Sequence, residues 1–432
     1  MTVDVQPIRT AAETALADAF ALFRQPLGPG EIARRDAAFA EFHKSGLPHR
    51  RVEEWKYTDL RAAMRETRSL AAPNDAITIT AATSATARFD GLAEARAVLV
   101  NGQYVQDLAR TSGDLTITPL STAIAENSEL LASLGKGGAP SSNAAVALND
   151  AFASDGILVR VPADTKARFQ VTLHQHGNHA AYARIVVVVE AGATAEIIET
   201  HTGSGAAQTN TFVEIVVGDK ATVTHMKLQD ETLETLHLAT LAATLGAEVN
   251  FTSTALARGA SLARQQIFLT FAGEHSEATL AGVSLAGGRR HLDTTLFVDH
   301  AVPNCNSRER YKTVLTDEAR GVFQGKILVR RGAQKTDGQM KSDALLLSEG
   351  SEMDLKPELE IYADDVLCAH GATAGAIDDD LLFYLLARGI PRIEAEALLI
   401  TAFAGEVFEG IENETVRHLF AASAQDWLTN RV

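Results

Sequence analysis

The sequence predicts a mainly β protein, a β-helix core between two helical segments, and three observations carry that prediction. Near the start of the chain apolar residues recur at helical spacing; from about residue 157 β-branched runs alternate with glycine turns; after Cys368 the helical period returns.

Taken in order, Leu16, Ala19, Phe20 and Phe23 stand at i, i+3, i+4 and i+7, one face of a helix. Pro26 and Gly28-Pro29-Gly30 break it. A second helix is expected over 31–43, where Ile32, Phe39 and Phe42 share a face, until Gly46-Leu47-Pro48 stops it. Ala97 to Val100, Asn101-Gly102 and Gln103 to Val105 predict a hairpin, because Asn-Gly supplies the positive φ that a tight turn needs at both central positions. Residues 1–150 therefore read as a mostly helical domain.

Residues 151–368 read as the β-helix. Ile157 to Val161, Ile185 to Val189, Thr211 to Val217 and Phe268 to Phe271 have strand composition. Ala195-Glu196-Ile197, Ala221-Thr222-Val223, Ala247-Glu248-Val249 and Ala278-Thr279-Leu280 each follow a glycine turn, at spacings of 26, 26 and 31 residues. A period in this range without intervening helices is a solenoid signal. Coils would stack about 4.8 Å apart, with Ala, Val, Ile and Leu inside and Thr, Glu, Asn and Lys outside. A β-sandwich with fortuitous spacing is the alternative. Residues 369–432 read as a helical domain: Asp378 to Asp380 can cap a helix over Leu381 to Arg388, Gly389 ends it and Pro391 starts another. From residue 371 onward there are 10 acidic and 4 basic residues.

Composition bounds the function. With 432 residues, 39 Lys+Arg against 55 Asp+Glu, a net charge of -16 and 46% hydrophobic residues, the chain is too apolar for global disorder and too acidic to favour nucleic acid or anionic lipid. Met1 to Pro7 has no leader pattern, and the best apolar run, Ile185 to Val189, is far too short to span a bilayer, so a cytoplasmic protein is expected. Two cysteines, Cys305 and Cys368, cannot build a disulfide framework.

Candidate chemistry concentrates between His291 and His370. His291 and Asp293 would share a strand face, whereas adjacent Asp299 and His300 would diverge, so surface polarity is favoured over a metal site. Asp364 and Asp365, with Asp293 as a further candidate, invite comparison with the carboxylates of a carbohydrate-active β-helix enzyme, but neighbours on a strand cannot both flank one bond without a third residue. Cys368 and His370, two apart in an extended segment, lie on one side and could hold a common metal or cluster; alone they fall short of the four ligands a cluster takes. The basic run Lys326 to Lys335 lacks an aromatic platform and reads as a solvated strand edge.

Several motifs, in order, resemble the SufB/SufD family of the Suf iron-sulfur assembly system: His300 to Asn306 (HAVPNCN), Arg320 to Lys326 (RGVFQGK), Gln334 to Met340 (QKTDGQM), Lys356 to Asp365 (KPELEIYADD) and Cys368 to Gly375 (CAHGATAG). Arg388-Gly389-Ile390 continues the match. Gly46-Leu47-Pro48 with Glu54 to Leu60 (EWKYTDL) looks like the SufD branch.

The resemblance implies a right-handed parallel β-helix and a scaffold rather than an enzyme. It implies a SufB-like partner through the β-helix and a SufC-like ABC ATPase through the C-terminal helices, with a homodimer possible in isolation. It also implies a transient iron-sulfur cluster at the SufB interface, with His370 as the first candidate ligand from this side, Cys368 second and Cys305 a packing residue. No phosphate loop of the Gly-x-x-x-x-Gly-Lys-Ser/Thr type occurs, so ATP hydrolysis is assigned to the partner, and no Gly-x-Gly-x-x-Gly fingerprint supports a flavin site. A structural adaptor that holds no cluster is the alternative within this reading.

Overall fold

The computed structural model describes residues 9–126 and 128–430; Met1 to Pro7, where the lack of a leader was read, lies outside them. The N-terminal segment holds α1 (Ala11–Phe23), α2 (Pro29–Ser45), α3 (Leu60–Ala63), α4 (Ala76–Thr86), α5 (Leu120–Ala125) and α6 (Ala144–Phe152), with short strands β1 (Ala95–Val100), β2 (Gln103–Tyr104) and β3 (Thr116–Pro119). Thr10 and Glu13 close a reciprocal capping box on α1. The same Glu13 carboxylate accepts the Leu47 N–H at 2.7 Å, so Gly46-Leu47-Pro48 is tied to the first helix. Asn101 and Gly102 have φ of 50° and 80°, and the β1–β2 hairpin pairs Val100 with Gln103.

The core runs through β4 (Asp155–Val161), β5 (Lys166–His176), β6 (Ala180–Val189), β7 (Thr194–Ser204), β8 (Gln208–Val217), β9 (Thr222–Asp230), β10 (Leu236–Leu245) and β11 (Asn250–Ala257). It continues through β12 (Leu262–Phe271), β13 (Glu277–Ala286), β14 (His291–His300), β15 (Asn306–Leu315), β16 (Arg320–Val329), β17 (Asp337–Leu346), β18 (Glu352–Ile361) and β19 (Leu367–Gly375). Among the described residues odd strands from β5 onward stack in one sheet of ten with β1 and β2, and even strands in a sheet of nine with β3. All neighbours from β4 to β19 pair in parallel, so each coil contributes one strand to either sheet. This is the predicted solenoid, not a sandwich.

The register corrects the spacing. Ala195 pairs with Val223, Val223 with Phe251 and Phe251 with Ala278. Ala221 and Ala247 therefore stand two and four residues before the true partners. The error arises because a small-polar-aliphatic pattern matches itself when slid by two residues along a strand, keeping every side chain on its face. The turn glycines do pack coil on coil: a Cβ at Gly218 would lie 2.7 Å from the Ala191 nitrogen and one at Gly273 2.1 Å from the Ala247 nitrogen.

Aliphatic side chains of both sheets fill the interior. The expectation that Glu and Lys lie outside fails over part of it. Glu199, His201, His225, Lys227 and His237 are buried on the interior faces of β7, β9 and β10, where His201, His225 and Lys227 gather on the Glu199 carboxylate. Outside, α1, α2 and α6 cover the nine-stranded sheet through Phe20, Phe42, Phe152, Tyr182 and Leu238. The other sheet is covered by α8 (Arg392–Phe408) and α9 (Glu414–Asn430), which pack Ile400, Val407 and Phe420 on Met226, Leu256 and Val283. Before them α7 (Asp379–Ala387) starts at an Asp378 cap. The boundary drawn at residue 368 falls inside a strand, because β19 runs on to Gly375; its small residues Gly371, Ala372 and Ala374 carry no strand signal of their own. No described helix is long and apolar enough to cross a membrane.

Candidate functional site

The last coil is bare. Among the described residues β19 is the terminal strand of its sheet and pairs only with β17, and β18 pairs only with β16. Along β19 only Cys368 is partly buried, and the rest of the strand is exposed. Pro357 in the middle of β18 is compatible with an edge, where a missing N–H disrupts no ladder. Ile361, Tyr362 and Leu367 stand out from this end at 41%, 63% and 72% exposure.

Cys368 and His370 do share one side of β19. In the ladder Cys368 follows Gly338 and Ser307, and His370 follows Met340 and Glu309. Met340 and the partly buried Cys368 belong to the solenoid core, so these two columns lead from the interior to the open edge. At their inner end Glu309 is 2% exposed and neither carboxyl oxygen has a hydrogen-bond partner. Burial pushes its pKa up to about 8, opposed only in part by the nearby Ser307 hydroxyl and Arg308. The Cys368 thiol is also raised, first by burial and then by the Asp337 and Glu309 carboxylates, against a lowering contact from the Gly338 backbone. A metal taken up by this sulfur must therefore displace its proton.

The other candidates are dispersed. Cys305 is fully buried, with Sγ 3.4 Å from the Gly273 carbonyl oxygen. His300 stacks on Phe271 at 4.4 Å between centroids, and its Nε2 is 3.0 Å from the Ser307 hydroxyl. Asp299 pairs with Arg330. The surface reading of His291 and Asp293 is wrong, and the reason lies in the N-terminal motif. Thr58 bonds to both side chains, and the buried Arg264 pairs with Asp293 while stacking on Trp55 at 4.0 Å and donating to the Glu54 carbonyl at 2.7 Å. These are clamps between distant segments. Asp365 is exposed and ion-paired to Lys335, and Asp293 is consumed by Arg264, which leaves no carboxylate pair across a cleft at the positions considered for glycoside chemistry. Lys326, Arg330 and Lys335 of the basic run are each ion-paired to an acidic neighbour.

Glu309 was not visible as a candidate, since Arg308-Glu309-Arg310 reads as surface charge. The signal was the alternation of Ser307, Glu309 and Tyr311 with Arg308 and Arg310, which puts the two sets on opposite faces.

Comparison with known proteins supplies the family. Residues 171–403 match the SufBD core domain of SUF-system FeS cluster assembly, and residues 29–173 match the SufBD protein N-terminal region. The chain belongs to the SufB/SufD family of iron-sulfur cluster assembly proteins. The iron-sulfur cluster assembly protein SufD of Escherichia coli K12 is 32% identical over 387 residues, 87% of this chain and 88% of that one. A SufBD family protein of Synechocystis is 31% identical over 392 residues, 84% of either chain. The chloroplastic protein ABCI7 of Arabidopsis thaliana is 31% identical over 240 residues, 54% of this chain and 50% of that one. The motif residues singled out in the sequence thus sit within the matched regions, Cys368 and His370 included.

Proposed function

We propose that this chain is the SufD-type half of a cytoplasmic scaffold, pairing through its open end with a SufB-like solenoid and presenting His370, with Cys368 beside it, to a nascent cluster. The cluster is cargo: it forms at the joint and leaves. The observation that carries the reading is the free edge of β19, where a thiol and an imidazole on one side of the strand lie at the rim of an uncovered core. A second solenoid would satisfy the edge N–H and C=O groups and cover Ile361, Tyr362 and Leu367. Mixed imidazole and thiolate ligation, completed from the partner, suits a site that must release its product.

The C-terminal helices suit the ATPase. On α7 only Leu382 is buried, while Leu381, Phe383 and Tyr384 are exposed, as are Ile393 and Leu398 on α8. Large exposed apolar side chains concentrated on an otherwise acidic segment suit a protein contact. ATP hydrolysis belongs to that SufC-like partner, and the present chain transmits rather than catalyses.

The test is the iron and acid-labile sulfide content of the chain co-purified anaerobically with its two partners, wild type against His370→Ala at equal complex yield. A loss of most iron and sulfide with assembly intact is expected. Wild-type content in the variant would leave this chain as a structural adaptor without a cluster ligand.

A further inference from the structure

We propose that His201, Glu231 and His237 form a binding site for one divalent first-row transition-metal ion inside the solenoid, separate from the open end. Each offers one ligand atom, and these atoms lie within 4.8 Å of one another. All three are buried, at 2%, 4% and 1% exposure. They come from β7, the turn after β9, and the start of β10, so the site lies at a corner between the two sheets. From β7 to β19 is six ladder steps, about 29 Å at the usual strand spacing.

The second observation is an orphaned atom. His237 Nε2 is buried and has no hydrogen-bond partner. Its Nδ1 lies 2.9 Å from the Glu231 carboxylate and 3.0 Å from the Thr209 hydroxyl. A carboxylate can only accept, so Nδ1 donates to Glu231 here, and an ion would take that proton's place between the two. A buried ring nitrogen without a partner is costly whichever tautomer it holds. His201 is held in the matching way, its Nε2 against Glu199, which also accepts from His225 Nε2 at 2.8 Å. With Nε2 so held, the His201 ring is left to ligate through Nδ1, the arrangement found around metal-ligating histidines. The two rings meet edge to face with centroids 4.9 Å apart.

Two imidazoles and a carboxylate suit Zn2+ or Fe2+ rather than Mg2+ or Ca2+, which prefer all-oxygen shells. Drawing the donors to about 2.1 Å from one centre needs them to close in by roughly an ångström, within the reach of side-chain rotation. Charge favours it as well, since Glu199 and Glu231 are faced by one ammonium, Lys227, 3.6 Å from Glu199. His237 also borders a cavity of about 30 Å3, lined further by Lys227, Gln229 and Gln265. That is room for a water molecule beside the His237 ring.

The test uses the full, untagged chain, stripped with chelator and titrated anaerobically with Co2+, then with Zn2+ in competition. One equivalent of Co2+ is expected, with d–d absorption but no thiolate-to-cobalt charge-transfer band, and displaced by Zn2+. His237→Gln and Glu231→Gln should each weaken binding by 100-fold or more, while the Cys368→Ser/His370→Ala double variant keeps it. Wild-type protein that takes up neither ion, even when expressed in metal-supplemented medium, would overturn the proposal. So would a thiolate band, or loss of binding in the double variant alone. Should the buried variants fail to fold, the wild-type stoichiometry, spectrum and the rise of its melting temperature with Zn2+ still decide the matter.

Discussion

The two ends of the solenoid are built from the same repeat and finished differently. At the N-terminal end β1 adds to β5 in parallel and then folds back on itself as a hairpin, while β3 adds to β4 antiparallel; every residue of β1 is buried, and α4 packs Ala82 against Val98 and Val100. At the C-terminal end β18 and β19 have no such cover, and apolar side chains point outward. A change of strand direction closes a solenoid; its absence, with exposed Leu367 and Tyr362, leaves a surface shaped for more chain. The difference teaches where this protein keeps its stability and where it keeps its contacts.

The largest expected effect breaks the closed end. Phe169→Ala in β5, at a fully buried position, should cost about 3–5 kcal/mol of stability by denaturant unfolding. Next, Glu309→Gln sharpens the open end. The folded pKa near 8 exceeds the ordinary carboxyl value of 4.5, so the native state holds the extra proton and wild-type stability is full below pH 4.5 and falls as pH rises through about 8. The variant should remove that slope and gain up to a few kcal/mol at pH 8, since one pK unit is about 1.4 kcal/mol. A wild-type unfolding curve flat between pH 5 and 8 would contradict the assignment.

His174 at the closed end should respond with the opposite sign. It is buried on β5 with both ring nitrogens unpartnered, and burial first, then His176, lowers its pKa from 6.5 to about 4. Its contribution is present above pH 6.5 and lost as pH falls towards 4, so His174→Gln should recover roughly 1–3 kcal/mol near pH 4 and nothing at pH 8. The smallest effect on stability belongs to Leu367→Ala, within about 0.5 kcal/mol for the isolated chain, yet the same change should weaken association with the proposed SufB-like partner about tenfold or more, read by equilibrium sedimentation. Equal loss of stability at Leu367 and Phe169 would erase the distinction between the two ends.

Particular residues mark what the sequence could and could not tell. The Asn101-Gly102 hairpin was legible because its turn chemistry is local, and Cys368 and His370 were legible as a same-side pair because strand period is two. Register was not, since an Ala-x-aliphatic pattern is unchanged by a slip of two. Glu309 and the His201, Glu231 and His237 group were not, because their significance lies in which strands stack. His291 and Asp293 read as outward-facing side chains in the sequence, because Thr58 and Arg264, which bond to them, are distant in the chain.

That distance has a consequence for synthesis. Thr58 and its acceptor Asp293 are 235 residues apart in the chain. At a ribosomal rate of about 5–20 residues per second, Thr58 waits on the order of 12 to 47 s for the strand that receives it. The solenoid between can zip coil by coil as it emerges, but the N-terminal clasp cannot shut until β14 is made. During that interval the Thr58 segment lacks its acceptor, so the joint between the N-terminal motif and the solenoid closes only late in synthesis.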